Sequence, residues 1–304
     1  MAESVKITSM GIFRNKFKVK VFEPFGRTNI GIVGLGLIGG SIAKALVQNM
    51  RGANIVGVDP RQETLDFCMK EHIINFGHKE LSILRGCGVI FVCTPIETVP
   101  DIINKVFAAV GDGAIITDVA GVKAHIFADL PKGIRFVSGH PMSGSEVQGF
   151  ENSDGALMEK CNYILIREKD TADADFEKVK GIVGAFTDNI IETDAKTHDE
   201  TVAATSHLLH VMAYTLCNQV LPDEKAASVI GRGFKDLTRI ARSQTPLWVN
   251  TCRLNSKAVC GEIEAYSEAL NSVKTMIENK EWDKLEAYFE KGRELRLSIE
   301  KKKE

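Results

Sequence analysis

The chain has no cysteine pair spaced C-x-x-C. Its seven cysteines, Cys68, Cys87, Cys93, Cys161, Cys217, Cys252 and Cys260, are scattered and odd in number. That pattern fits reduced thiols in a cytoplasmic protein and excludes a disulfide framework or a structural zinc site. Charge of one sign is also missing. Against 38 Lys and Arg stand 40 Asp and Glu, a formal net charge of -2, so no global field draws the chain to nucleic acid or to an acidic membrane. Any anion site must be local. The longest apolar run, Gly31 to Val47, is glycine-rich and interrupted by Lys44, so no membrane span is expected. Residues Met1 to Phe22 carry Lys6, Arg14, Lys16, Lys18 and Lys20 without the continuous apolar core of a signal peptide. Internal repeats and low-complexity tracts are absent, and the terminal Glu300-Lys301-Lys302-Lys303-Glu304 reads as a solvated end.

What is present is ordinary in bulk and specific in detail. At 304 residues, 44% hydrophobic and 26% charged, the chain is comfortable for two domains, each with its own core. The stretch Asn29 to Leu46 carries an apolar run, Ile30 to Val33, into three glycines spaced G-x-G-x-x-G, followed at once by helix-forming residues. This predicts strand, tight turn and helix. Gly34 allows the turn, Gly36 lets backbone approach a pyrophosphate, and Gly39 lets helix and strand pack closely. Gly34, Gly36, Leu37, Ile38 and Gly39 are therefore candidate cofactor contacts. A second run, Asn54 to Val58, ends at Asp59, where a dinucleotide fold places the carboxylate for the adenosine ribose. The alternative for Asp59 is a helix N-cap, compatible with the ribose role, since Pro60 suits a first helical position ahead of a helix reaching about His72. Asp59 favours NAD, while Arg61 could welcome the 2′-phosphate of NADP.

Strands and helices alternate from there. Val89 to Cys93, Ala114 to Thr117 and Ile134 to Ser138 read as strands, with helices over Val99 to Val110 and from Lys123 to about Leu130. Repeated βα units imply a parallel sheet whose loops after Val33, Val58, Cys93, Thr117 and Ser138 open on one rim. Thr94 and Asp118, at two of those ends, join the candidate cofactor contacts. Two further strands, Asn162 to Ile166 and Asn189 to Thr193, flank a helix holding Phe176, Val179, Ile182, Val183 and Phe186. At Thr197-His198-Asp199-Glu200 the pattern turns helical, with Thr197 and Glu200 spaced as a capping box. The predicted architecture is α/β: an N-terminal extension over 1–28, a Rossmann-type parallel-sheet domain over 29–194, and an all-α domain over 195–304. Within the extension, Phe17 to Phe22 alternates as a strand or hairpin would. In the helical part, Val202, Leu209, Met212, Leu216 and Val220 form one stripe and His207, His210 and Tyr214 another, before Pro222 ends the helix. Further helices are expected over about 224–242, 246–279 with interruptions, and 281–300.

Three clusters carry candidate chemistry. Gly139 to Gly149 sets His140, Ser143, Ser145 and Glu146 among glycines at the rim. A histidine titrates near neutrality, about 6.5 when free, so His140 is a candidate proton acceptor, although a lone histidine also serves structure. Lys235 and Arg239 are four apart and share a helix face, as an anion clamp or as a solvated basic face with Asp236 paired to Arg239 or Arg242. His207 and His210, three apart, lack the carboxylate that would complete a metal site, so no metal is expected.

At these residues the chain resembles the prephenate and arogenate dehydrogenase family of tyrosine biosynthesis. The resemblance rests on GIVGLGLIGGS, on TDVAGVK at 117–123, on SGHPMSGSEVQG at 138–149, on ATSHLLHVMA at 204–213 and on GRGFKDLTRIARSQTPLW at 231–248, in family order over roughly 29–300. It implies a dinucleotide-binding domain with a helical domain that builds a homodimer. With neither a chorismate mutase segment ahead nor a regulatory domain behind, the single-function form is expected. The implied reaction is NAD-dependent oxidative decarboxylation of prephenate to 4-hydroxyphenylpyruvate, with NADP possible as cofactor. Arogenate is the alternative substrate, and a weakly active dinucleotide-binding sensor a further one. By position, His140 matches the catalytic histidine and Arg239 the arginine that binds a substrate carboxylate. Ser145, Glu146, His207, His210, Lys235 and Trp248 match residues lining or gating the same pocket. One departure stands out: the family turn D-x-x-S-x-K has Gly121 where the serine helps to place the histidine and the nicotinamide. Ser143 or Ser145 is the expected substitute. His140 and Arg239 are expected to converge across a domain cleft.

Overall fold

The computed structural model describes residues 29–144 and 146–301; the expected strand over 17–22 and Ser145 lie outside them. The chain runs β1 (Asn29–Val33), α1 (Leu37–Asn49), β2 (Asn54–Val58), α2 (Gln62–Lys70), β3 (Phe76–His78), β4 (Val89–Val92), α3 (Val99–Val110), β5 (Ile115–Asp118), α4 (Ala124–Phe127) and β6 (Arg135–Phe136). These strands form one sheet in the order β3-β2-β1-β4-β5-β6, every neighbour parallel. Side chains alternate between its two faces. Ile30, Ile32, Ile55, Val89, Phe91 and Ile115 enter one core with Ile42 and Leu46 of α1. Val33, Val56, Val58, Ile90, Val92 and Ile116 enter the other with Ile103 and Val106 of α3. Helices on both faces explain why the strands read as continuous apolar runs. Strand order reverses between β1 and β4, which leaves a crevice at their carboxyl ends.

The chain departs from the expected βα rhythm after β6. Ser138 does not end a strand of the parallel sheet; it begins β7 (Ser138–Pro141), which belongs to a second, three-stranded sheet. β7 pairs antiparallel with β8 (Tyr163–Ile166), and β8 pairs parallel with β9 (Ile190–Thr193), with α5 (Ala156–Glu159) and α6 (Asp173–Val183) between. β6 is only two residues long, and Val137 donates to Ile116 O before the chain turns away. His140 therefore lies on a strand, opposite Ile164, and not in a loop.

After β9 the described residues are helical: α7 (Ala195–Val202), a π-helical turn (Ala203–His207), α8 (Leu208–Val220), α9 (Glu224–Ser228), α10 (Arg232–Thr238), a 3-10 turn (Arg239–Arg242), α11 (Thr245–Leu254), α12 (Ser256–Glu278) and α13 (Trp282–Lys301). The capping box expected at Thr197 is displaced. Asp194 caps α7, accepting from Thr197 N at 2.9 Å and from the Thr197 hydroxyl at 2.6 Å, which puts Thr197 inside the first turn. The expected helix over 224–242 is divided at Val229 to Gly231 and tightens to 3-10 at Arg239. Among the described residues no helix is long and apolar enough to cross a membrane, and no cluster could hold a metal ion. All seven cysteines are unpaired.

Candidate active site

The glycine turn at the end of β1 is built by sterics. Gly34 has φ +92°, and a Cβ there would lie 2.8 Å from Cys93 O; a Cβ on Gly39 would lie 2.0 Å from Gly34 O. Neither position admits a side chain. A Cβ on Gly36, by contrast, meets nothing within 4 Å, so the loop faces open space. Leu37, Ile38 and Gly39 open α1, where N–H groups have no carbonyl ahead of them in the helix. An anionic pyrophosphate fits this cradle.

Asp59 follows β2 and is buried. Its Oδ2 accepts from Leu35 N at 2.9 Å, and its Oδ1 from Arg61 N and Nε at 2.9 and 3.2 Å. The carboxylate thus ties the glycine turn to the end of β2, with one acceptor position left for a ribose hydroxyl. It is not the cap of α2, which starts at Gln62 beyond Arg61, so Pro60 lies outside the helix. Thr94, just past β4, takes a 3.0 Å bond from the Thr98 hydroxyl.

Asp118 departs from expectation. Its side chain is fully buried and turned inward: Oδ1 accepts from Ser138 Oγ at 2.5 Å, Oδ2 from Ala120 N at 2.8 Å and from Lys123 Nζ at 2.7 Å. Lys123 Nζ also donates to Gly139 O at 2.5 Å. These bonds occupy the carboxylate, so the side chain is turned away from a role in holding the cofactor. It fastens β5 to β7 beneath His140 instead. Burial lowers the Lys123 ammonium, and the neighbouring Asp118 charge acts to restore it.

His140 sits on that fastened strand. Its Nδ1 lies 2.9 Å from His198 Nε2, and His198 Nδ1 lies 2.8 Å from Asp199 Oδ1. Asp199 also accepts from Lys123 N and Ala124 N, both at 2.8 Å, which holds the start of α4. On the other side, a Cβ built at Gly121 would be 3.5 Å from His140 Nε2, and no side chain fills the place. Burial pushes the His140 imidazole well below its usual value, with His198, Lys123 and His207 adding to the effect. It is neutral at working pH.

The helical part completes the surroundings. Asn255 Nδ2 donates to Asp199 O at 2.8 Å and lies 3.3 Å from His207 Nδ1. His207 lies on the π-helical turn. His210 stacks on Trp248 with ring centroids 3.2 Å apart and planes 18° from parallel, and His207 meets the same indole edge-on at 6.2 Å. Burial lowers both imidazoles to about 4. His210 Nδ1 and Trp248 Nε1 are buried without a hydrogen-bond partner. Arg239 forms an ion pair with Glu146, in the loop after β7, while Lys235 stays exposed. Asp236 pairs with Arg232 at 3.4 Å and with neither Arg239 nor Arg242.

The structure thus joins His140, His207, His210 and Trp248 through one connected set and brings Arg239 to Glu146. Ser143 does not stand in for the missing serine, because its hydroxyl is spent on Leu157 O at 3.0 Å. Sequence reasoning missed His198, Asp199, Lys123 and Asn255 as members of this set. A His-Asp dipeptide in the first turn of a helix was the available signal, and it reads equally well as capping.

Comparison with known proteins covers both parts. The family model "Prephenate dehydrogenase, nucleotide-binding domain" matches residues 42–192, and "Prephenate dehydrogenase, dimerization domain" matches 194–291. The chain is 28% identical over 280 residues to a prephenate dehydrogenase of Bacillus subtilis (strain 168), covering 89% of this chain and 76% of that protein. The crystal structure of prephenate dehydrogenase from Aquifex aeolicus in complex with hydroxyphenyl propionate and NAD+ is similar with TM-score 0.85 and 28% identity, over 90% of this chain and 99% of that one. Synechocystis arogenate dehydrogenase is similar with TM-score 0.79 and 26% identity, over 88% and 99%. A doubly wound sheet with a glycine cradle, a polar set around His140 and matches over both parts make this chain a member of the prephenate dehydrogenase family.

Proposed function

We propose that the protein oxidatively decarboxylates prephenate to 4-hydroxyphenylpyruvate, with NAD as hydride acceptor. The observation that carries this reading is His140: a neutral imidazole on the rim, with Nε2 facing the bare backbone of Gly121. Residues 29–194 bind the dinucleotide and 195–304 supply the rest of the substrate site. The cradle of Gly34, Gly36, Leu37, Ile38 and Gly39 takes the pyrophosphate, Asp59 a ribose hydroxyl, and Thr94 borders the nicotinamide side. Bound NAD supplies the hydride acceptor. Arg61 is drawn onto Asp59, which favours NAD over a cofactor bearing a 2′-phosphate.

His140 Nε2 takes the proton of the ring hydroxyl as the carbinol carbon is oxidised. The ring carboxylate leaves as carbon dioxide, and aromatisation provides the driving force, so the protein chiefly orients its reactants. The substrate carries more than one negative charge, whereas the chain is nearly neutral. Arg239 is the fork that holds a carboxylate, with Glu146 its partner until substrate arrives and Lys235 adding local positive charge. His207, His210 and Trp248 form the wall, and Ser145, next to Glu146 in the sequence, is assigned to the same pocket. Similarity to an arogenate dehydrogenase keeps arogenate as the second substrate.

The helical part is read as the dimer interface, supported by the family description of residues 194–291 and by the exposed Leu270, Trp282, Phe289 and Leu295 on α12 and α13. Sedimentation of the full chain tests this, with a monomer at micromolar concentration as the contrary result. For the activity, formation of reduced cofactor is followed with prephenate and arogenate, each with NAD and NADP. Turnover highest with prephenate and NAD is expected. Higher turnover with arogenate would reassign the substrate, and none with either would favour a dinucleotide sensor.

A further inference from the structure

Among the described residues, His140 is oriented from one side only. Gly121 offers no side chain to its Nε2, Ser143 is bonded elsewhere, and among the described residues the one side-chain hydrogen bond to the ring is the 2.9 Å contact of Nδ1 with His198 Nε2. Behind His198 stands Asp199, 2.8 Å from His198 Nδ1 and itself fixed by the N–H groups of Lys123 and Ala124. The direction of this chain of bonds follows from what each group can do. Burial works against the Asp199 carboxylate, but the bonds from His198, Ala124 and Lys123 outweigh it and hold the carboxyl below its usual range. An ionised carboxylate only accepts, so His198 Nδ1 carries the hydrogen. A neutral imidazole with hydrogen on Nδ1 offers Nε2 as an acceptor, so the hydrogen between the two rings belongs to His140 Nδ1. His140 Nε2 is then left with its lone pair free.

We propose that His198 and Asp199 are positioning residues: their relay, acting at Nδ1, locks His140 in the tautomer whose unprotonated Nε2 points at the substrate hydroxyl. The inference rests on the reading of His140 as proton acceptor. It explains how a chain with glycine at position 121 keeps its histidine directed. When His140 becomes an imidazolium during turnover, its Nδ1–H stays bonded to His198 Nε2, and no proton leaves the pair.

The test uses the full chain labelled with 15N at histidine, the His140 ring being assigned by the signal lost in His140→Asn. The wild type is expected to show His140 protonated at Nδ1 and bare at Nε2. His198→Leu removes the acceptor, and the tautomer is expected to shift to hydrogen on Nε2 or to a mixture. With it, kcat should fall by roughly a hundredfold while KM for substrate and dinucleotide stays within about twofold. His198→Gln places an amide oxygen where Nε2 was, and should restore the tautomer and most of kcat. Hydrogen on His140 Nε2 in the wild type, or kcat in His198→Leu within about twofold of wild type, overturns the proposal. So does a His198→Gln variant as impaired as His198→Leu. If His198→Leu does not fold, the wild-type tautomer and the Gln variant decide. Near-normal turnover of His140→Asn would instead remove His140 as the base, leaving the tautomer readout to judge the relay alone.

Discussion

The glycine turn and the surroundings of His140 share a rim but are made differently. The turn consists of backbone: positive φ at Gly34, a helix packed against Gly34 O at Gly39, and one carboxylate, Asp59, 24 residues on. The surroundings of His140 consist of side chains from four distant stretches, Asp118 to Lys123, Ser138 to His140, His198 to His207, and Asn255. A backbone site is written locally and fails all at once when one Cβ intrudes. A side-chain site is assembled by folding and can lose one function at a time.

That contrast can be broken most severely at Gly39. Gly39→Ala sets a methyl carbon 2.0 Å from a backbone oxygen with no flexible group to give way. Dinucleotide affinity should fall more than tenfold and the thermal midpoint by several degrees, roughly 2 kcal/mol or more of stability; calorimetry and fluorescence titration measure both. An unaltered affinity would mean the turn is not built as described.

His140→Asn should affect chemistry alone. Turnover is expected to fall by about a hundredfold or more, with substrate and dinucleotide affinity largely kept, as for a lost general base. Steady-state kinetics across pH check this, and because burial lowers the imidazole, the acid limb of the wild-type profile should lie below 6.5.

Arg239→Gln should act on binding. An anchoring charge-assisted hydrogen bond contributes about 1.5 to 3 kcal/mol, and for a side chain this exposed the lower end applies, so KM should rise about tenfold with kcat little changed. An unchanged KM removes Arg239 from the site.

The last effect is on stability and depends on pH. His207 and His210 are neutral in the folded chain down to about 4, whereas the unfolded chain takes up protons near 6.5. Their contribution is complete above 6.5 and is lost as pH falls through the window from 6.5 to about 4, then levels off. Denaturant midpoints across that range should decline, and His207→Gln should flatten the decline.

The same division accounts for what could be read in advance. α3 is found at Val99–Val110, as its apolar spacing predicts, and the strands at Asn29–Val33, Asn54–Val58 and Val89–Val92 match their apolar runs closely. β3, at Phe76–His78, was not foreseen, because three residues with two exposed carry no periodic signal. β7 differs for a related reason: Ile134 to Ser138 reads as one strand, and nothing local says that the chain leaves the sheet at Val137. Thr197 looked like a cap because its spacing to Glu200 is right, yet Asp194 was better placed to accept.

The sequence alone determined the glycine turn, the alternation that makes a buried parallel sheet, and the change to helix near 195, because these depend on residues within one or two turns of each other. Only the tertiary structure decided that Asp118 faces inward to Lys123 and that His140 leans on His198 and Asp199. Those hydrogen bonds join residues 5 to 76 positions apart, and which partner a buried polar group finds is fixed by packing, not by its neighbours in the chain.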